Sequence, residues 1–228
     1  MSLPLTIGST FYNNPEYLLR FVDRNLPFVD ELIIVDDGSP DPISNYLTPT
    51  EKIKIYRVKE DYGFNSHGCR NLIMKESGNP WVILMDLDRE FIWPDDAYSS
   101  ISNTKLQEDI RYRFVAHSDK VGANIHPSVN DYLIHKTHFF KPGGYDEEII
   151  GQRWGDREFF LQLLHYGSEK ILYGVDMLLT RKPSSMVLNA KSKNDKLTDN
   201  DSKLLLQQRI KKPDPNKPIL TFAWERVL

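Results

Sequence analysis

Cysteine is almost absent: Cys69 is the only one in 228 residues. A lone thiol forms no intrachain disulfide, and a zinc site built on several cysteines is excluded with it. Long apolar runs are missing too. The most hydrophobic stretch, Trp81-Val82-Ile83-Leu84-Met85, falls far short of the ~20 residues a membrane helix requires. No charged-then-apolar pattern of a secretory leader opens the chain, so the expectation is a soluble, cytoplasmic protein without a transmembrane segment. Nor is there a surplus of one charge. Lys and Arg number 29 against 32 Asp and Glu, for a formal net charge of −3. The basic excess that marks a nucleic-acid binder is lacking, and no nucleic-acid partner is expected.

What is there is a regular alternation of short apolar runs with amphipathic stretches. Leu3 to Ile7, Leu32 to Val35, Ile53 to Val58 and Trp81 to Met85 read as strands. The unbroken Leu32-Ile33-Ile34-Val35 run suits a strand buried on both faces, as in a parallel sheet. Between them, Pro15 to Leu26 and Ser66 to Ser77 carry helical periodicity. Pro15 suits a first helical turn, and Gly78 a stop. Strand and helix alternating at this interval predict an α/β fold with a doubly wound, mostly parallel central sheet. Beyond Pro94 the pattern loosens. Tyr112 to Ala116, Tyr132 to His135 and Ile171 to Val175 read as strands, and Asp156 to Tyr166 as an amphipathic helix. Ala190 to Asp201 is a polar stretch with little to bury, read as a loop or linker. A short helix at Ser202 to Ile210 and a strand at Ile219 to Ala223 follow. The expected organisation is one main domain, 1–185, with an extension, 186–228, packing back onto it.

Three acidic clusters fall where such a fold places ligands, outside the carboxyl ends of the strands. Asp36-Asp37-Gly38-Ser39 follows the second strand; a turn is its plain reading, a carboxylate accepting from a nucleobase or ribose its functional one. Asp86-Leu87-Asp88 follows the most apolar strand. Side chains two apart in an extended segment point the same way, so both carboxylates would converge on one point. Mg2+ or Mn2+ suits such a pair, completing its shell with phosphate oxygens and water. The third cluster runs from Gly143-Gly144-Tyr145-Asp146-Glu147-Glu148 to Trp154-Gly155-Asp156-Arg157-Glu158. Asp156 there reads either as a helix cap or as a general base taking a proton from an attacking hydroxyl.

In order along the chain, these segments resemble the family 2-type glycosyltransferases of the GT-A fold. Ile7 to Asn14 is similar to that family's first strand with its Thr-x-Tyr-Asn ending. Leu32 to Ser39 carries its most recognisable signature, and Gly63-Phe64-Asn65 with Gly68-Cys69-Arg70-Asn71 resembles its Gly-x-Asn and Gly-x-Arg-Asn segment. Asp86-Leu87-Asp88 stands in place of its Asp-x-Asp. Gly143 to Glu147 and Trp154 to Phe159 look like its Gly-Gly-Phe-Asp-Glu and Trp-Gly-Glu-Asp-x-Asp-Leu motifs; together they also resemble the galactosyltransferase-like C-terminal Gly-Gly-Tyr-Asp-Glu…Trp-Gly-Asp motif.

The resemblance implies roles for individual residues. Thr10, Tyr12 and Asp37, with Asp36 adjacent, would line the nucleobase and ribose pocket. Arg70 would reach the base or the diphosphate. Asp86 would contact the ribose or the metal, and Asp88 the metal, Mn2+ or Mg2+. Asp156 would be the base of an inverting transfer from a nucleotide-sugar donor, UDP-sugar favoured, to a glycan or other hydroxyl acceptor. The chain departs from the pattern at Gly155, where the family carries a carboxylate, and this leaves Glu158 as a rival base. His126, Asn130 and Trp154 are candidate acceptor contacts. Two other readings stand beside the transferase: a degenerate nucleotide-sugar-binding module, and a nucleotidyltransferase. The second would require a Gly-rich basic loop after the first strand, and Thr10 to Pro15 has neither feature.

Overall fold

The computed structural model describes residues 4–92, 101, 104–118, 130–149, 154–179, 204, 206–209 and 214–227. Strand β1 spans Leu5–Phe11, helix α1 Pro15–Asn25, β2 Glu31–Asp36, β3 Ile53–Val58, α2 Ser66–Glu76 and β4 Trp81–Leu84. Then follow β5 Arg89–Ile92, β6 Ile110–Ser118, β7 Tyr132–His135, α3 Lys136–Phe140, α4 Gly155–Leu163, β8 Ser168–Leu179 and β9 Trp224–Val227. The strands form a single nine-stranded sheet in the order β5-β8-β6-β7-β4-β1-β2-β3-β9. Its centre is the expected parallel block, β4, β1, β2 and β3. The flanks are mixed: β8 runs parallel to β6, whereas β7, β5 and β9 pair antiparallel with β4, β8 and β3.

Alternation along the central strands divides the core between the two faces of the sheet. Ile7, Leu32, Ile34, Ile55 and Ile83 join one buried cluster, to which α1 adds Leu18 and Phe21. Ile33, Val35, Val58, Val82 and Leu84 join the other, which α2 covers with Cys69, Leu72, Ile73 and Met74. Burying each such aliphatic side chain is worth about 1.5–3 kcal/mol. Helix α2 lies so close to β1 that a Cβ on Gly8 would stand 2.2 Å from Ile73 Cγ2.

The differences from the sequence reading have local causes. Strand β1 continues past the last aliphatic residue to Phe11, because β2 pairs with Thr10 and Phe11 there. Strand β5 and helix α3 are too short to show a period. The C-terminal strand is Trp224–Val227 rather than Ile219 to Ala223. Glu147 takes the backbone N–H groups of Leu220 and Thr221 (2.8 and 2.9 Å), and Leu220 has a φ of 57°, so those residues are withheld from a ladder. Of the polar stretch Ala190 to Asp201, all lies outside the described residues. No helix among those residues is long and apolar enough to cross a membrane.

Candidate active site

The carboxyl ends of β1, β2 and β4 and the first turn of α4 bring the expected residues to one side of the sheet. At the end of β1, Thr10 is half-buried and its hydroxyl has no partner. Tyr12 donates to Asp61 (2.9 Å); burial, then the Asp61 carboxylate, pushes its phenol up to about 12.

Asp36 and Asp37 differ in kind. Asp36 is wholly buried. Its Oδ1 accepts from Ser39 N–H (2.8 Å), and its Oδ2 accepts from Ile43 N–H (3.0 Å) and from Arg57. The Asp36 side chain, expected beside the nucleobase and ribose pocket, is saturated from within the protein and holds the Gly38 turn in place. Asp37 accepts from Asn65 N–H through Oδ2 (2.9 Å), while its buried Oδ1 has no partner. Burial raises the Asp37 carboxyl well above the usual range. Such an oxygen is costly unless a donor meets it, and it marks where a ligand N–H or O–H would go. The turn that follows them requires Gly38: its φ is 74°, and a Cβ would stand 2.8 Å from Glu60 O.

Arg70, on α2 and buried, joins the other two clusters. Its NH2 group donates to Asp86 Oδ1 (2.8 Å), and its NH1 group to Asp156 Oδ1 (2.8 Å) and the Tyr145 hydroxyl (3.0 Å). The extended strand expected to carry Asp86 and Asp88 does not reach them. Strand β4 ends at Leu84, and the segment turns, with Arg89 N–H donating to Asp86 O (3.1 Å). Asp86 faces Arg70 and Asn130, whose amide donates to its Oδ2 (3.3 Å). Asp88 is buried, 3.7 Å from Arg89. Among the described residues no three acidic, His or Cys side chains converge as a ready-made metal cage. The available donors are all carboxylate oxygens, and that set suits Mg2+ or Mn2+ carrying phosphate and water as further ligands. Asn130, the candidate acceptor contact, thus lies beside Asp86.

Asp156 lies in the first turn of α4, after the cap position, which Trp154 fills with a φ of 71°. Its Oδ1 accepts from Arg70 and Tyr145 (2.9 Å), and its side chain is 26% exposed. Glu158 does not share that outlook. It is fully buried, bonded to Gln162, with Oε2 unpartnered, and burial pushes its carboxyl up to about 7. Two residues along a helix turn the side chain to the far side, so the Glu158 carboxyl faces the interior. His126 lies outside the described residues.

Two residues at the site carry no signal a single sequence makes loud. His67 is buried, its Nδ1 is 2.7 Å from Ile149 O, and its ring stacks on Tyr145. A Cβ on Gly155 would stand 2.0 Å from His67 Cε1. The missing carboxylate at 155 is thus a matter of space, because the imidazole occupies it. The second is Tyr145, whose only mark in the sequence is that it replaces the Phe of the family motif.

Residues 6–102 match the family described as Glycosyl transferase family 2. Solved structures share the fold over most of the chain. GalNAc-T7, in a crystal structure with UDP, GalNAc and Mn2+, superposes with a TM-score of 0.63 at 13% identity, covering 80% of this chain and 45% of that one. The catalytic domain of Drosophila beta1,4galactosyltransferase 7 with xylobiose gives 0.61 at 13%, covering 96% and 83%. The mannosyltransferase PcManGT of Pyrobaculum calidifontis, with GDP-Man and Mn2+, gives 0.61 at 10%, covering 92% and 70%. The chain has the GT-A fold. No curated protein matches it by sequence. As a GT-A protein it spans less than half the length of GalNAc-T7, and at these identities the structures speak for the fold alone.

Proposed function

We propose that this GT-A protein transfers a sugar from a nucleotide diphosphate donor, UDP-sugar first, to an acceptor hydroxyl with inversion at the anomeric carbon. The observation that carries the reading is Arg70. One buried guanidinium ties Asp86, after β4, to Asp156, at the head of α4. The donor side of the cleft and the candidate base are thereby held at fixed separation. Asp37 and Thr10 supply unpartnered oxygens for the base and ribose. Asp156 takes the proton of the acceptor hydroxyl as its oxygen bonds to the anomeric carbon and the bond to the diphosphate breaks. Asp88, with Asp86, would hold Mn2+ or Mg2+, whose chemistry is to neutralise the departing diphosphate. The GT-A neighbours were solved with Mn2+ and with UDP, UDP-Gal or GDP-Man, which supports the donor class. Residues 1–185 form the transferase domain on this reading, and 186–228 its extension.

A thermal-shift panel of UDP, GDP, CDP and ADP, each with Mn2+ or EDTA, tests the donor site. Saturation at about 100 times Kd adds ~2.7 kcal/mol, a melting shift of several degrees. We expect UDP to stabilise with Mn2+ only; no shift from any nucleotide overturns the reading. In turnover assays Asp156→Asn is expected to abolish transfer while nucleotide binding stays near wild type. A binding module that has lost catalysis predicts no turnover in either protein.

A further inference from the structure

Tyr145 sits behind the candidate base, fully buried. Its ring is clamped between His67, at 5.0 Å between centroids and 14° between planes, and Phe159, at 4.1 Å and 23°. Its hydroxyl touches three groups: Arg70 (3.0 Å), Asp156 Oδ1 (2.9 Å) and the Tyr132 hydroxyl (2.8 Å). Counting protons fixes the direction of each bond. A phenol has one hydrogen to give and two lone pairs to fill. Arg70 can only donate, so it takes one lone pair. Asp156 as a carboxylate can only accept, so it takes the hydrogen. Tyr132 must therefore donate to the remaining lone pair. Burial and the charge of Asp156 raise the Tyr145 phenol well above its usual range, so the hydrogen stays on its oxygen.

Two donors, Arg70 and Tyr145, thus converge on Oδ1 of Asp156, and among the described residues none meets Oδ2. We propose that Tyr145 is a positioning residue for the transfer, locking Asp156 so that Oδ2 is the oxygen that receives the acceptor proton. This rests on Asp156 being the base. The apparatus is one piece: Gly155 leaves room for His67, His67 stacks on the Tyr145 ring, and the Tyr145 hydroxyl orients Asp156. With Phe at 145, Arg70 alone would hold the carboxylate, and a single contact permits rotation about χ2.

Tyr145→Phe keeps the ring and its stacking and removes only the hydroxyl. The expected result is a kcat lowered about tenfold to a hundredfold by misplacement of the base. Donor KM and Mn2+-dependent UDP binding should stay near wild type, while the melting temperature falls by a few degrees because the buried Tyr132 hydroxyl loses its acceptor. An unchanged kcat overturns the proposal, as does a joint fall of kcat and UDP affinity, which would mark a structural role alone. A second measurement requires no substrate and no Tyr145 variant. In the nucleotide-free protein the Tyr145 hydroxyl proton should give a slowly exchanging, downfield NMR resonance, displaced upfield in Asp156→Asn. A resonance that ignores Asp156→Asn overturns the link even where the transferase reading stands. A wild type that turns over no donor defeats that reading while leaving the Tyr145–Asp156 bond to be decided by the resonance.

Discussion

Asp36 and Asp37 are adjacent in sequence and opposite in circumstance. Both oxygens of Asp36 are saturated from inside the protein, by two backbone N–H groups and Arg57. Removing one partner of a buried, hydrogen-bonded pair costs about 3–5 kcal/mol. Asp36→Asn is therefore expected to lower stability in urea denaturation by about 3 kcal/mol, without changing the nucleotide affinity of the protein that folds. Asp37→Asn should do the reverse. Its carboxylate is desolvated and half-satisfied, so neutralising it costs little stability, and calorimetric titration should show nucleotide affinity falling about tenfold or more. The sequence shows an acidic pair after a strand, and both residues stand at the carboxyl end of β2. Which carboxylate faces inward depends on Arg57, on the next strand over, and no local pattern announces it.

At the level of elements, α4 is where chain and fold meet most tightly. The helix was legible from its apolar face, yet its phase was not. Asp156 and Glu158 are equally acidic, and only the packing of Phe159, Gln162 and Leu163 into the interior sends Glu158 inward with them. The head of the helix is also constrained, since His67 from α2 fills the volume beside Gly155. Gly155→Ala should force the ring aside and destabilise the protein by roughly 1–3 kcal/mol, as overpacking does. Adding His67→Ala should recover part of that loss. Chemical denaturation of the two single variants and the double one gives the coupling directly, and strict additivity would deny the contact. The Gly-Gly motif was likewise readable, but not its second use. Asn71 holds Tyr145 N–H and Glu147 (both 2.8 Å), and Glu147 in turn receives the Leu220–Thr221 backbone.

Over the whole molecule, buried carboxyls set the response to pH. Glu158 is raised from 4.5 to about 7 by burial, against the pull of Lys217, and Asp37 is raised in the same sense. A raised carboxyl means the native state keeps a proton that the unfolded chain releases. Glu158 thus stabilises fully below about pH 4.5, and its contribution is lost as pH rises to about 7. The swing is about 3 kcal/mol. Denaturation at about pH 5 and about pH 8 should show wild type weaker at the higher pH, with the gap narrowed in Glu158→Gln. An equal gap in both would place the cause elsewhere. At this scale the parallel centre of the sheet was evident from its apolar runs. The mixed flanks were not, because β5 and β7 are four residues each, and their direction is set by partners distant in the chain.

The pairing of β9 with β3 has a consequence for how this protein is made. One border of the parallel block stays open until residues 214–227 emerge and dock, long after β3 itself has left the ribosome. Contacts of such long sequence separation must meet their closure entropy before they repay it, and they form late. In the interval β3 offers unpaired backbone groups that another unfinished chain can zip onto. Folding yield should therefore depend on how crowded the nascent chains are, with the docking of β9 acting as the step that ends the exposure.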